Sequence, residues 1–270
     1  MEKFKAYLIQ EEKSDLTVEK YVRDVGYFLN WMGERELSKQ TVLEYKATLT
    51  ERYAVASVNS ILSSLNCYFG YLGRHDCRVK IIKQQRQMFL AESRELSQGE
   101  YARLIQAARG KPWLCLLMQT ICATGIRVSE HRFITVEAAR TGYASVRMKG
   151  KSRVVFLPKK LCAAILRYAR EHKIKGGSVF VTATGRPLNR CNIWLEMKKL
   201  CTTAGVSREK VFPHNLRHLF ARIYYAMEHD IVRLADLLGH SSIDTTRIYT
   251  MESGKTHRQQ IERVGLVVVT

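Results

Sequence analysis

Four short segments in the second half of the chain carry side chains that can do chemistry together. They are ATGIRVSE with Arg127, MKGKSR with Lys149 and Lys151, HNLRH with His214 and Arg217, and LGHSSIDTTRIYT with His240 and Tyr249. The candidate residues among them supply two guanidiniums, a lysine, two or three imidazoles and one phenol. This inventory fits phosphoryl transfer that needs no metal.

Each side-chain type has a part in that chemistry. Two arginines bind the non-bridging oxygens of a phosphodiester through fixed paired donors. A lysine on a hairpin can protonate the leaving sugar oxygen as a general acid. A tyrosine phenol, whose reference pKa is about 10, becomes a nucleophile beside a base or in a field of cations. Histidine titrates in the range that lets it assist.

Taken singly, each segment also has a purely structural explanation. TGxR is typical of a helix stop followed by a solvated arginine, and KGKS of a basic hairpin turn. Tyr249 alone would be a half-buried, hydrogen-bonded tyrosine. The two histidines of HNLRH lie four apart, the spacing of a helical metal pair, but the glutamate of HExxH and a third ligand are missing. We therefore predict no metal and no cofactor, and the joint occurrence of the segments favours a catalytic site.

The net charge of the chain indicates which class of molecule it binds. The 270 residues carry a net charge of +19, which points to a polyanion such as nucleic acid. The excess is uneven: residues 1–72 have a net charge of −1, residues 73–94 of +4 and residues 95–270 of +16. Solubility alone, the alternative explanation, does not require this asymmetry.

The compartment follows from the cysteines and from the apolar runs. Seven cysteines are scattered without CxxC spacing, which favours reduced thiols in a cytoplasmic, nucleoid-associated protein over a disulfide framework or a zinc ribbon. No run of about 18 apolar residues predicts a membrane span, and the N-terminus lacks the pattern of a secretion signal.

The elements that must position these residues divide the chain into two domains. Residues 1–73 are predicted to form four helices, with an apolar face on the second helix at Leu16, Val25 and Phe28. Ser38 and Ser57 are the candidate N-caps of the third and fourth helices.

Residues 74–94 are basic and lack periodicity, as expected of a linker. Residues 95–270 begin with a capping box at Ser97 and Glu100, and YASVRMKGKSRVVFLP predicts a β-hairpin. GSVFVTATGRPL is predicted as a further extended piece. Mainly α with a small antiparallel sheet is the predicted fold class.

The four segments, in this order, resemble the boxes of the tyrosine recombinase (phage integrase) family. ATGIRVSE is similar to the box of the first catalytic arginine, HNLRHLFA to the H-x-x-R box, and LLGHSSIDTTRIYT to the box of the nucleophile. MKGKSRVVFLP is similar to the hairpin that carries the family's lysine. The resemblance covers essentially the whole chain and implies a helical, SAM-like DNA-binding domain followed by a catalytic domain.

What the resemblance implies for the site is residue-specific. The catalytic residues would be Arg127, Lys149, His214, Arg217, His240 and Tyr249. Lys151 stays open as the alternative general acid, because the hairpin turn is about one residue shorter than the family's. His131 and Arg132 stand where the family has apolar residues, and would alter packing or add a phosphate contact. His218 would be a structural support.

The resemblance also implies the reaction and its partners. Tyr249 would form a 3′-phosphotyrosine with DNA, without metal or ATP, in integration, excision or dimer resolution, as in Xer-type recombinases and mobile-element integrases. Four protomers would assemble on DNA, coupled through the apolar C-terminal tail, and an accessory directionality protein could take part. The alternatives are a type IB topoisomerase-like or telomere-resolvase-like enzyme, or a catalytically silent DNA-binding regulator.

Overall fold

The structure is a computed structural model, and it describes residues 1–83, 94–148, 151–182, 184–240, 242–249 and 262–263. The chain divides into two compact units, Met1–Arg86 and Gln87–Thr270. Within the described residues the fold is mainly helical with one two-stranded antiparallel sheet, as predicted. None of the described helices is long and apolar enough to cross a membrane.

The first unit consists of four helices around one apolar core. They are α1 (Glu2–Gln10), α2 (Asp15–Met32), α3 (Lys39–Arg52) and α4 (Val55–Tyr71). Ser38 caps α3 as predicted, because its side chain accepts a hydrogen bond from the Thr41 backbone N–H. One buried polar contact also joins helices: Ser64 of α4 donates to the Asp24 carboxylate of α2 at 2.8 Å.

In this unit the structure differs from three expectations that we drew from the sequence. Leu16 is 78% exposed, and Val18 takes its place in the core, because α2 starts at Asp15 and turns Leu16 outward. Ser57 lies inside α4, whose N-cap is Ala54. The packed unit also extends beyond residue 73: Cys77 and Val79 are buried in the same core, so the start of the segment that we assigned to the linker belongs to this unit.

In its described residues, the second unit contains eight further helices and the hairpin. The helices are α5 (Gln98–Ala107), α6 (Pro112–Thr124), α7 (Val136–Thr141), α8 (Lys159–Glu171), α9 (Arg190–Lys199), α10 (Cys201–Ala204), α11 (Pro213–Glu228) and α12 (Ile231–Leu238). Strands β1 (Tyr143–Met148) and β2 (Lys151–Phe156) pair from Tyr143↔Phe156 to Met148↔Lys151. The predicted extended piece after Gly177 forms only isolated bridges, such as Val181↔Pro187.

Local sequence signals explain where the helices of this unit begin and end. Both hydrogen bonds of the predicted capping box are present at the start of α5, between Ser97 and Glu100. Helix α6 is the centre of the core, with Leu114, Leu117 and Ile121 fully buried. It ends at Gly125 in the left-handed conformation, which a glycine adopts without steric cost.

His131, one of the departures from the family pattern, lies in this core. It is 4% exposed and its ring meets Phe180 edge-on. The Nδ1 atom is 2.5 Å from the Val128 carbonyl oxygen, whereas Nε2 is buried without a hydrogen-bond partner among the described residues. Arg132 is exposed and lies over the Phe133 ring. Of the two expectations for His131, altered packing is therefore the one that this location supports.

We expect His131→Leu to change the free energy of unfolding little at pH 8, because it removes the unpaired buried nitrogen and the bond to the Val128 carbonyl together, and to raise it relative to wild type at acidic pH. Burial lowers the pKa of folded His131, so the unfolded chain, with a pKa of about 6.5, binds the proton first on acidification. The gain should therefore grow as the pH falls below about 6.5. Thermal unfolding of the full chain at pH 8 and pH 5 measures it, and an equal gain at both values would contradict the assignment.

Candidate active site

Arg217 of α11 is the most deeply buried cation of the candidate site, with 1% exposure. Its Nη1 donates to the Gly125 carbonyl oxygen at 2.6 Å, and its Nη2 lies 2.8 Å from both the Leu238 carbonyl oxygen and the Nε2 atom of His240. Burial and the charge of Arg127 lower its pKa to about 10, so it stays protonated at neutral pH. These contacts fix the guanidinium in one position.

Arg127 follows Gly125 and Ile126 at the end of α6 and begins a 3₁₀ segment (Val128–Phe133). Its Nη1 donates to the Glu130 carboxylate at 3.1 Å, while its contacts with the carbonyl oxygens of Leu238 and Gly239 are 3.5 and 3.4 Å long. The side chain is 42% exposed. Because its backbone contacts are long, Arg127 can exchange them for an anion more easily than Arg217 can.

Glu130 and Arg153 complete this cluster, and neither was predicted from the sequence. The Glu130 side chain is 3% exposed and binds Arg153 of β2 at 2.6 Å, opposite Arg127. Arg153 also donates to the Leu237 carbonyl oxygen. Both residues stood inside segments that we quoted, Glu130 in ATGIRVSE and Arg153 in MKGKSR, but nothing in the sequence shows that they meet.

His240 follows Gly239, which ends α12 in the left-handed conformation. Because the Nη2 of Arg217 can only donate, the His240 Nε2 must accept, and the proton lies on Nδ1, which donates to the Thr246 hydroxyl at 2.8 Å. Burial, then the charges of Arg217 and Arg127, lower the His240 pKa to about 4. The imidazole is therefore neutral at pH 7.

Tyr249 is buried beside these groups, with 4% exposure. Its ring centroid lies 4.7 Å from that of His218, edge-on, and 6.0 Å from that of His240, stacked. His240 accepts a hydrogen bond from Arg217, so the Tyr249 ring packs one residue away from this guanidinium, and Tyr249 raises the Arg217 pKa against the effect of burial. Ser242 caps a 3₁₀ turn (Ile243–Thr245) before Tyr249, where we expected the start of a helix.

His214 lies in the first turn of α11 and is exposed. Its ring meets His218 edge-on at 4.6 Å. Desolvation by neighbouring groups, then the charges of Arg217 and Arg127, lower its pKa. An exposed imidazole that is neutral near pH 7 can accept a proton from a group in the same groove.

An open groove of about 630 Å³ gives access to these groups. Arg127, His214 and Arg217 line one part of it, and Arg190, Cys191 and Trp194 line another. The buried cluster beside it contains three guanidiniums, of Arg127, Arg153 and Arg217, and one carboxylate, of Glu130. Counted by formal charge, two positive charges are left for an anion. The arrangement suits binding a phosphodiester and stabilising the additional negative charge of its transition state.

The structure thus brings together Arg127, His214, Arg217, His240 and Tyr249, five of the six residues that we predicted. Lys149 lies outside the described residues, and Lys151 is described only as the strand residue paired with Met148. Within the described part of the chain, no group of three histidine, cysteine or acidic side chains is arranged to hold a metal ion.

Comparison with known proteins places this arrangement in a family. Residues 94–255 match the phage integrase family, and residues 1–76 match the N-terminal SAM-like domain of phage integrases. The chain is 30% identical to tyrosine recombinase XerA of Pyrococcus furiosus over 99% of this chain and 94% of that protein.

The chain belongs to the phage integrase family of tyrosine recombinases, enzymes that transfer DNA strands. It is 28% identical to tyrosine recombinase XerD of Vibrio cholerae, over 87% of this chain and 85% of that protein. The crystal structure of XerA recombinase aligns with a TM-score of 0.55 at 25% identity, covering 97% of this chain and 96% of that one. A lambda integrase dimer bound to a core site shares the fold, with a TM-score of 0.73, 18% identity and coverage of 92% and 93%.

Gly125 offers a direct test of how tightly the site is built. Its φ is +65°, and an added Cβ would lie 2.5 Å from a ring carbon of Phe220, next to the carbonyl that holds Arg217. Gly205 has a similar φ of +58° with no atom within 4 Å of the added Cβ, so it is the matched control.

We expect Gly205→Ala to cost only backbone strain, about 1 kcal/mol. Gly125→Ala should cost that amount and about 1–3 kcal/mol more for overpacking, and should displace the Gly125 carbonyl from Arg217. Chemical denaturation of both variants measures the difference. Equal losses of unfolding free energy in the two variants would show that the Phe220 ring moves aside without cost. Gly125 would then be needed only for its left-handed backbone conformation.

Proposed function

We propose that the protein is a site-specific recombinase that cuts and rejoins duplex DNA through a 3′-phosphotyrosyl intermediate at Tyr249. The observation that carries this proposal is the packing of the Tyr249 ring against His240, which accepts a hydrogen bond from Arg217, next to a groove lined by Arg127, His214 and Arg217. A phosphodiester bound by Arg217 would therefore lie next to the phenol.

Cleavage transfers the phosphoryl group from a sugar oxygen to the tyrosine. The phenolic oxygen of Tyr249 bonds to phosphorus as the bond to the 5′ oxygen breaks. His214 takes the phenolic proton, and Lys149 or Lys151 gives a proton to the leaving 5′ oxygen. A 5′-hydroxyl of a second strand then reverses each transfer. One phosphoester bond replaces another at each step, so the reaction requires neither ATP nor a metal.

The cations lower the activation barrier because they stabilise the negative charge that develops during the transfer. The phosphoryl oxygens gain negative charge in the transition state, and the guanidiniums are already held in place with two formal positive charges in excess. Neutral His240 carries one N–H, which it donates to Thr246, so its role is to orient the Arg217 guanidinium that binds the phosphate.

We further propose the larger assembly. The first unit, which includes the start of the basic segment 74–94, and residues 95–270 would bind DNA as two domains joined by the rest of that segment, and four protomers would act on two sites. The C-terminal tail, which lies outside the described residues, would dock on a neighbouring protomer, and a directionality protein could assist. A lambda integrase tetramer bound to a Holliday junction, which shares this fold, supports the tetramer. Seven free cysteines agree with action in the cytoplasm.

The nucleophile can be tested before the target sequence is identified. A randomised pool of nicked duplexes, from which the small cleaved fragment diffuses away, should yield a covalent DNA adduct that survives denaturation of the protein. Tyr249→Phe should abolish the adduct because it removes the attacking oxygen. Tyr225→Phe is the matched control, because Tyr225 packs in the same apolar cluster. An adduct that persists in Tyr249→Phe would contradict the assignment.

The same capture identifies the target DNA, and the captured sequence then separates the possible activities. Incubation of two duplexes that carry this sequence should produce recombinant strands. Relaxation of supercoiled DNA without exchange between duplexes would instead indicate a topoisomerase-like enzyme.

Lys149 and Lys151 can be distinguished by the leaving group. A bridging 5′-sulfur leaves without a general acid, because a thiol has a pKa of about 8.5, against about 15.7 for water. We expect Lys149→Ala to slow cleavage of the ordinary substrate by about 100-fold or more and to leave the sulfur substrate within a few-fold of wild type. Lys151→Ala is the matched comparison, and the opposite result would assign the proton transfer to Lys151.

A further inference from the structure

Arg153 is a buried cation that adds charge to the site but has no contact with the reacting groups in the mechanism above. It lies on β2, two residues after Lys151, and its side chain is 13% exposed. One Nη donates to the Glu130 carboxylate at 2.6 Å and the other donates to the Leu237 carbonyl oxygen. These contacts reach two parts of the active site that are distant in sequence.

The two partners of Arg153 are themselves tied to the phosphate-binding arginines. The Glu130 carboxylate accepts hydrogen bonds from the Nη1 atom and from the backbone N–H of Arg127. Leu237 precedes Leu238, whose carbonyl oxygen holds Arg217. The stem of Arg153 also packs on Gly239, where an added Cβ would lie 2.4 Å from the Arg153 Cδ. Through these contacts, Arg153 links the hairpin to the groups that hold Arg127 and Arg217.

We propose that Arg153 is a positioning residue that fixes the β1–β2 hairpin, and the general-acid lysine it carries, relative to the two phosphate-binding arginines. The inference rests on the proposed function. Proton delivery requires the lysine within hydrogen-bond reach of the 5′ oxygen while Arg127 and Arg217 hold the phosphate. Of the two candidate lysines, Lys151 is the first residue of β2, and position 149 follows the last residue of β1 in the sequence.

Two features argue against a purely structural role. The Arg153 Nε is buried without a partner among the described residues, so the burial of this guanidinium costs free energy that an apolar residue would save. Among the described residues the sheet has two strands, and the outward residues Val154 and Phe156 are 48% and 68% exposed. The hairpin therefore depends on its inward side chains for its position, and Arg153 supplies the polar contacts.

The role predicts a defect that depends on the leaving group. We expect Arg153→Met to slow single-turnover adduct formation by about 100-fold on a duplex with the ordinary 5′ oxygen. A loss of this size is expected when the general acid is out of position. On the same duplex with a bridging 5′-sulfur, the rate should return to within about fivefold of wild type, since sulfur leaves without protonation. Arg127→Ala should slow both substrates, because it removes a phosphate contact.

Two further variants distinguish a displaced hairpin from a destabilised fold. Arg147→Met is the matched control: it removes a guanidinium from the exposed face of the same hairpin, and both substrates should react as with wild type. Arg153→Lys keeps a cation beside Glu130 but cannot reach both partners, so we expect a thermal midpoint close to wild type and the same oxygen-selective loss.

The outcomes distinguish this inference from the function on which it rests. If the wild-type protein forms no adduct on either substrate, the recombinase proposal fails. If wild type reacts but Arg153→Met slows both substrates equally or neither, the positioning role is wrong while the recombinase proposal stands. Full recovery of the oxygen substrate by Arg153→Lys would also overturn it, because charge beside Glu130 would then suffice without the bond to Leu237.

Discussion

The end of α12 is the structural feature on which the site depends. A helix leaves its last carbonyl groups without partners, and they carry the negative end of the helix dipole. Here these carbonyls accept hydrogen bonds from three arginines of separate elements: Leu237 from Arg153, Leu238 from Arg217 and Arg127, and Gly239 from Arg127. Three like charges can gather because one helix terminus and one buried carboxylate, that of Glu130, bind them together.

The same cluster sets the protonation of the imidazoles around it. Burial and nearby guanidiniums lower the pKa of His240 and of His218 to about 4. Both rings are therefore neutral at physiological pH, and they add no positive charge beside Arg217. A neutral His240 can accept a hydrogen bond from Arg217, which a charged one could not. The arginines thus supply the permanent charge, and the histidines keep the ability to exchange protons.

The sequence predicted the parts of this site that local chemistry specifies. Arg127, His214 and Tyr249 stood in segments with recognisable spacing, and Ser97 and Gly125 marked helix ends by their own conformational preferences. Glu130 and Arg153 were missed because their importance lies in a contact between residues 23 positions apart, which no periodicity encodes. Leu16 was misassigned for a related reason: its spacing fits either edge of the apolar face, and only the packing of α2 against its neighbours decides which edge is buried.

Arg127 and Arg217 divide the work of holding an anion. Arg217 is buried and both its Nη atoms are held by protein groups, so its position does not depend on the substrate, while its Nε has no partner among the described residues and is left for an anion. Arg127 is partly exposed with long backbone contacts, so a phosphate can draw it in. The nucleophile is set against the fixed member of this pair. The chain leaves α12 at Gly239, and the bond between His240 and Thr246 closes the loop that returns Tyr249 to Arg217. The composition of LGHSSIDTTRIYT follows from this path, since the glycine turns the chain, the histidine and threonine close the loop, and the tyrosine ends it beside the buried cation.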